Sequence, residues 1–453
     1  MALVSLANSQ QLKANSQQLT AKSQQPRANM SEHLYIDSVR VDAESLEPFA
    51  QGLTSERRAV LQPLLAFLRE WWGNEEYMVV QTSGSTGTPK QIRLTKCAMR
   101  RSGLRSNRYF QIEAGKRLLL AMDLRYIGAK MMVVRALLAG AELIVVPPSS
   151  HPLATLSVAP HFISLVPLQL HHTLEAPAER KLLSQAEQLI IGGGAIHPAV
   201  EAQLSTLPVA AYATYGMTET ISHIALRRLN GPHASPLFYP LEGVHLSQGS
   251  DGELIIEDRL LYPEGPTLTT HDLVALHSDR GFTIEGRADN IINSGGVKIS
   301  PEPIERKLSA TLDTPLAISW VADVALGQKL VLVLEGDNLP EGLAKSLDET
   351  CEQLLPPYHR PKEIRCVAQL PHNDNGKLDR RALQQPAGNG NQLVIGGSGM
   401  LDEVHQLALH RLSALTRRFT ATPSLVRLTT CSSGSPRRDS CASSLELVAP
   451  SSQ

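Results

Sequence analysis

The chain has 453 residues, enough for two or three domains and a large core. Its 43 basic residues balance 44 acidic ones, so it carries no electrostatic footprint for nucleic acid or an anionic membrane. Five cysteines, Cys97, Cys351, Cys366, Cys431 and Cys441, are scattered without a CxxC pair; this indicates neither a zinc site nor a disulfide framework, and it fits a reducing, cytoplasmic setting.

Residues 7–29 read ANSQQLKANSQQLTAKSQQPRAN, a seven-residue repeat dominated by Gln, Ser and Asn. Its apolar content is too low for a coiled-coil seam, and it lacks the continuous apolar core of a secretory signal. Residues 1–30 are therefore expected to be low-complexity and disordered, with Met30 as the expected start of the functional chain. Leu61, Leu64, Leu65, Leu68 and Trp72 then recur at helical spacing.

The next stretch, YMVVQTSGSTGTPKQIRLT from Tyr77 to Thr95, sets a hydroxyl- and glycine-rich loop between two strand-like runs. Gly84 and Gly87 permit backbone conformations closed to other residues and let a ligand approach. Thr82, Ser83, Ser85, Thr86 and Thr88 add hydroxyls, and Lys90 adds a positive charge. Such a loop suits phosphate oxygens. It is not a Walker A loop, because Pro89 precedes the lysine, Gln91 follows it and the next segment reads as extended.

Beyond it, RLLLAM, AELIVV, FISLVP and QLIIGG read as short buried strands, with KMMVVRALLAG and HPAVEAQLST as helices. None of these apolar runs is long enough to span a bilayer. The alternation predicts a layered α/β domain with ligand loops at strand ends. LIIGGGAIHP carries Gly192–Gly194 after a strand, which suits either a flat ring against the backbone or a tight turn. YATYGMTETISHIALR runs from a strand into Gly216, Thr218, Glu219 and Thr220. Glu219 there is either a Mg²⁺ carboxylate or part of a capped turn. TLTTHDLVAL places Asp272 in a polar turn. TIEGRADNIINSGGVKISPEPIE follows, and Lys377 lies in HNDNGKLDRRAL. A second module is expected from about Asp289, with SPEPIERKLSATL as a helix, LAISWVA and KLVLVLEG as strands, and a helix from about Pro340 to Leu355. After Pro386 a Gly/Asn linker precedes a Ser-rich tail, expected to be disordered apart from a short helix at Leu401–Phe419.

Taken in order, TSGSTGTPK, GGGA, YGMTET, the Asp272 turn, GRADNIINSGGVKISPEPIE and NGK resemble the adenylate-forming superfamily of acyl-CoA synthetases and adenylation domains, from about Tyr77 to Leu383. The resemblance implies an α/β fold with a large layered N-terminal domain and a small mobile α+β C-terminal domain. The boundaries it suggests are 31–288 for the ATP- and acid-binding domain, 289–386 for the small domain and 387–453 for the linker and tail. It also implies ATP, Mg²⁺ and coenzyme A as cofactor and co-substrates, and a small-molecule carboxylic acid as partner.

By the same resemblance, Thr82, Ser83, Gly84, Ser85, Thr86, Gly87 and Lys90 bind the triphosphate. Gly193, Gly194, Ala195, Tyr215 and Gly216 match the adenine side, with Tyr215 stacking on the base. Thr218 matches the α-phosphate residue and Glu219 the metal carboxylate. Asp272 and Arg287 match the ribose pair, Asp289 the hinge and Lys377 the catalytic lysine of adenylation. Ser294, Gly295, Gly296 and Lys298 match the loop that enters for thioester formation. The usual Thr-Gly-Asp turn reads Thr270-His271-Asp272 here, and the large domain is short. This economy is most similar to compact o-succinylbenzoate–CoA ligases of menaquinone biosynthesis. Arg125, Lys130, Ser222 and His223 are the expected acid-binding donors. The runner-up is an adenylation enzyme that loads another acid onto CoA or a carrier-protein thiol.

Overall fold

The computed structural model describes residues 32–81, 91–263, 265, 267–312, 314–336, 343–372, 378–384 and 392–393. Contacts group residues 1–395 as one unit, and the second unit, 396–453, lies outside the described residues. The expected helix at 401–419 and both terminal tracts therefore fall outside them as well.

The chain begins with β1 (Leu34–Ile36), β2 (Val39–Val41), α1 (Leu46–Gly52) and α2 (Ser55–Trp72). The helical apolar spacing read from Leu61 onward lies in α2, which buries Leu61, Leu64, Leu65, Phe67, Leu68 and Trp71. A two-stranded antiparallel ribbon follows, β3 (Tyr77–Gln81) with β4 (Gln91–Thr95), closing at the pair Gln81 and Gln91. The phosphate-loop candidates between those two residues lie outside the described residues.

Next come α3 (Lys96–Phe110), β5 (Arg117–Leu120), α4 (Ile127–Ala139), β6 (Glu142–Val145), β7 (Phe162–Leu165), α5 (Pro167–Glu175), α6 (Pro177–Ser184), β8 (Gln188–Ile191), α7 (Pro198–Leu204), β9 (Ala210–Gly216), β10 (His223–Arg228) and β11 (Tyr239–Pro240). They build a nine-stranded sheet in the order β11-β10-β9-β8-β7-β5-β6-β1-β2. The stretch from β9 through β1 is parallel, and β10, β11 and β2 add antiparallel edges. Leu118–Leu120, Phe162–Leu165 and Leu189–Ile191 are buried without alternation, as strands covered on both faces must be. α4 is apolar nearly all round and buries Met131 through Leu137. It crosses α3 closely: a side chain at Gly103 would meet Leu138 and Val134 at 2.7 and 3.0 Å.

A four-stranded antiparallel meander follows, β12 (Val244–Gln248), β13 (Glu253–Asp258), β14 (Leu268–Leu276) and β15 (Phe282–Arg287). Tyr215, Ile224, Val244, Leu254, Ile256, Val274 and Phe282 form one apolar cluster, which fixes the meander against β9 and β10. After β15 a 3₁₀ turn, Ala288–Asn290, leads into the last sheet. That sheet contains β16 (Ile292–Ser294), β17 (Val297–Ile299), β18 (Leu316–Asp323), β19 (Gly327–Glu335), β20 (Glu363–Val367) and β21 (Gln392–Leu393). α8 (Pro301–Ser309) and α9 (Leu343–Leu354) accompany it, with Ile304, Leu308 and Leu347 in its core. The 3₁₀ turn thus lies between the meander and this last sheet.

Candidate active site

β8 and β9 are parallel neighbours, so their carboxyl ends open on the same side. Gly193, Gly194 and Ala195 follow β8 and are exposed, and Gly216 ends β9. Gly216 has to be glycine, because a Cβ there would lie 2.2 Å from the Ser222 carbonyl oxygen. The tight return from Met217 to Ser222 is held by the Thr220 hydroxyl, which accepts from Met217 N at 2.9 Å and donates to Ser222 O at 2.8 Å. Ile221 adopts φ +67° in this turn, a conformation a β-branched residue rarely takes, and is fully buried. Thr218 is half-buried and Glu219 is exposed, with no protein partner for Glu219 among the described residues.

Behind the turn lies Arg135 of α4, 1% exposed. Its Nε donates to Ser106 Oγ at 2.8 Å and its Nη2 to Ser222 Oγ at 2.9 Å, with His223 Nδ1 3.4 Å from Nη2. His223 Nε2 lies 3.3 Å from the same Ser106 hydroxyl. With Nδ1 facing a guanidinium, the imidazole carries its hydrogen on Nε2 and donates it to Ser106. Burial, and then the charges of Arg135 and Arg105, hold His223 well below the ordinary histidine value, so the ring is neutral. Burial alone pulls Arg135 down to about 10. Among the described residues, no carboxylate pairs with it. Arg105 differs: its Nη1 reaches Asp258 Oδ2 at 2.8 Å and Glu242 O at 3.2 Å, while its Nε and Nη2 are buried without partners.

The second grouping spans β9, β14 and β15. Asp272 and Arg287 stand opposite each other in the β14–β15 register, and Arg287 Nη1 donates to Asp272 Oδ1 at 2.8 Å. The Tyr215 hydroxyl donates to Asp272 Oδ2 at 2.6 Å. Burial, with Asp272 beside it, pushes that phenol far above its usual range, so it stays a donor. The Tyr215 ring packs edge-on to Phe282 at 5.3 Å. Arg287 also forks onto Asp289, Nε to Oδ1 and Nη2 to Oδ2, both at 2.9 Å. That pair, and then Asp272, raise Arg287 above its ordinary value. Burial tends to raise Asp289, but Arg287 outweighs it and leaves the carboxyl below its ordinary value.

The remaining expected residues lie elsewhere or outside the described residues. Ser294, Gly295, Gly296 and Lys298 belong to the β16–β17 hairpin, with Lys298 exposed. Arg125 is exposed and pairs with Asp123 at 2.8 Å. Lys130 lies 5.4 Å over the Phe67 ring, and burial lowers its pKa. Its spacing from Arg135 along α4 puts the two cations on different faces, so Lys130 does not join the Ser222–His223 cluster, and Arg125 lies ahead of α4. Thr82, Ser83, Gly84, Ser85, Thr86, Gly87, Lys90 and Lys377 lie outside the described residues.

Residues 3–244, more than half of the chain, match the family model described as AMP-binding enzyme. The chain belongs to that family. Within it, a probable 2-succinylbenzoate–CoA ligase of Mycobacterium tuberculosis is 30% identical over 351 residues, covering 71% of this chain and 88% of that protein. A 2-succinylbenzoate–CoA ligase of Bacillus mycoides is 28% identical over 365 residues, covering 71% and 72%. Among solved structures, an acyl-CoA synthetase (AMP-forming)/AMP-acid ligase II-like protein from Dyadobacter fermentans is 34% identical with a TM-score of 0.50, covering 74% of this chain and 96% of that one. The o-succinylbenzoate CoA synthetase of Bacillus subtilis, in complex with its acyl-adenylate intermediate, has the same fold at a TM-score of 0.58 and 22% identity, covering 69% of each.

For this AMP-binding enzyme, reading the motifs left out Arg135 and Ser106. The signal for Arg135 was a lone cation inside MMVVRALLA, a run otherwise apolar. Among the described residues no three or more His, Cys, Asp or Glu side chains gather in a way that could hold a metal ion, and no helix is long and apolar enough to cross a membrane.

Proposed function

We infer that the chain is a cytoplasmic AMP-forming acid–thiol ligase that converts o-succinylbenzoate, ATP and CoA into o-succinylbenzoyl-CoA, AMP and pyrophosphate. The observation that carries the substrate is Arg135. A fully buried guanidinium, aligned by two serines and a neutral histidine and with no carboxylate paired to it among the described residues, suits a carboxylate brought by a ligand. An acid with a second carboxylate supplies one, and a fatty acid does not. The relatives named as 2-succinylbenzoate–CoA ligases support the same choice.

The first step joins a carboxylate oxygen of the acid to the α-phosphorus of ATP, and the bond to pyrophosphate breaks. In the second, the CoA thiolate attacks the acyl carbonyl and the bond to AMP breaks. Negative charge builds around the phosphorus in the first step, so fixed donors carry most of the catalysis. Thr218 meets the α-phosphate, and Gly193, Gly194, Ala195 and Tyr215 meet the base. Asp272 and Arg287 hold the ribose. Thr82 to Lys90 take the outer phosphates and Lys377 the reacting oxygens. Glu219, an exposed carboxylate, suits a hard cation that prefers oxygen ligands and would hold Mg²⁺. Mg²⁺ arriving with ATP supplies charge neutralisation at the phosphates. Residues 289–386 then turn about Asp289, withdrawing Lys377 and bringing in Ser294–Lys298.

The test is CoA- and ATP-dependent release of AMP with o-succinylbenzoate, compared with octanoate and palmitate. Turnover of the aromatic dicarboxylate is expected. Efficient use of the fatty acids with none of o-succinylbenzoate defeats the substrate and leaves the ligase reaction standing. Lys377→Ala is expected to lower adenylation by roughly 10²–10³-fold while sparing thioester formation from supplied adenylate.

A further inference from the structure

Arg287 stands between two carboxylates on different segments. Asp272 takes one bond from it across the β14–β15 pair, and Asp289 takes two. Two parallel N–H···O bonds onto one carboxylate are the arrangement that best fixes a guanidinium's plane. A guanidinium has five N–H donors, and these three bonds leave donors on Nη1 and Nη2 for other acceptors. The Arg287 side chain is 35% exposed, so without Asp289 a single bond to Asp272 would be all that restrains a long, partly solvated arm. Asp289 itself sits in the 3₁₀ turn between the meander and the last sheet, on the backbone the nucleotide reading treats as the pivot.

We propose that Asp289 is a positioning residue of the nucleotide site: its carboxylate holds the Arg287 guanidinium where ribose hydroxyls meet it, so the ribose contact and the pivot share one ion pair. This rests on the reading of the site as an ATP site. A rotation that turns the Asp289 side chain away from Arg287 loosens the ribose contact, and a bound ribose in turn favours the arrangement in which the pair is intact. Each site biases the other by the same factor.

The test compares Asp289→Asn and Asp289→Glu with the unaltered full-length chain. Acid-dependent exchange of labelled pyrophosphate into ATP is measured with ATP, 2′-deoxy-ATP and 3′-deoxy-ATP, and AMP binding is measured by calorimetry without acid or CoA. Asp289→Asn keeps the backbone and side-chain size but loses the charged fork. It is expected to raise the KM for ATP and weaken AMP binding by about tenfold, with the KM for the acid unchanged. Most of the preference for ATP over its deoxy analogues should go as well, and Asp289→Glu should restore part of it. A merely structural role would not move ribose discrimination. Unchanged ATP KM, AMP affinity and discrimination in Asp289→Asn overturn the proposal, as does a loss confined to the thioester-forming step. If the unaltered chain bound no AMP and showed no exchange, the nucleotide reading itself would fall. If it did both while Asp289→Asn matched it, only this proposal would.

Discussion

Arg135 lies in the interior among hydroxyls and a neutral imidazole, whereas Arg287 is partly exposed and forked between two carboxylates. The two surroundings suit different ligand groups. Arg287 is neutralised within the protein, so the N–H donors it has left match uncharged hydroxyls. Arg135 is aligned but has no carboxylate partner among the described residues, a setting that suits an anion brought by a ligand. Burying a charge without a partner costs several kcal/mol, which gives the fold no reason of its own to keep one there.

The sharpest way to break this contrast is Arg135→Met. It should lower kcat/KM for o-succinylbenzoate by about 10²–10³-fold and leave the KM for ATP unchanged. The melting temperature should hold or rise, because an unpaired buried charge has gone. A fall in melting temperature with normal acid turnover would make Arg135 a structural residue and remove the contrast. Asp258→Asn asks what happens when an arginine the fold does neutralise is stripped of its partner. Arg105 and Asp258 are 2% and 6% exposed, so urea titration should show a loss of about 3 kcal/mol. Asp272→Asn removes one of the two carboxylates on Arg287. Steady-state kinetics should show the KM for ATP up by about tenfold and the KM for the acid unmoved.

His223 gives an effect that depends on pH. Folded, it titrates well below the ordinary value of about 6.5, so below that pH only the unfolded chain takes up the proton. Its contribution is present in full above about pH 7 and is lost toward pH 5, at up to about 1.4 kcal/mol per pH unit. Urea midpoints at the two pH values should therefore differ less in His223→Gln than in the unaltered chain.

Much of the fold was legible because buried parallel strands have to be apolar on both faces. Leu118–Leu120, Phe162–Leu165 and Leu189–Ile191 each declare themselves that way. α4 declared itself too, but its composition hid the direction of its two cations. On a helix buried nearly all round, no polar face marks an outside, and Lys130 drew attention that Arg135 merited. Asp272 and Arg287 were legible as motif residues in chain order. Their pairing depends on strand register, and the bond from Arg287 to Asp289 depends on the 3₁₀ turn, neither of which periodicity encodes. The phosphate-loop residues and Lys377 were the clearest motifs, and their roles rest on sequence resemblance.

The Arg105–Asp258 pair also bears on the order in which the protein is made. Asp258 leaves the ribosome 153 residues after Arg105. Until it does, α3 cannot bury that guanidinium at low cost, and the arginine stays hydrated. Most of the main sheet is therefore synthesised before one of its helices can settle. A chain interrupted between β11 and β13 lacks Asp258, and Arg105 of α3 would be without that carboxylate.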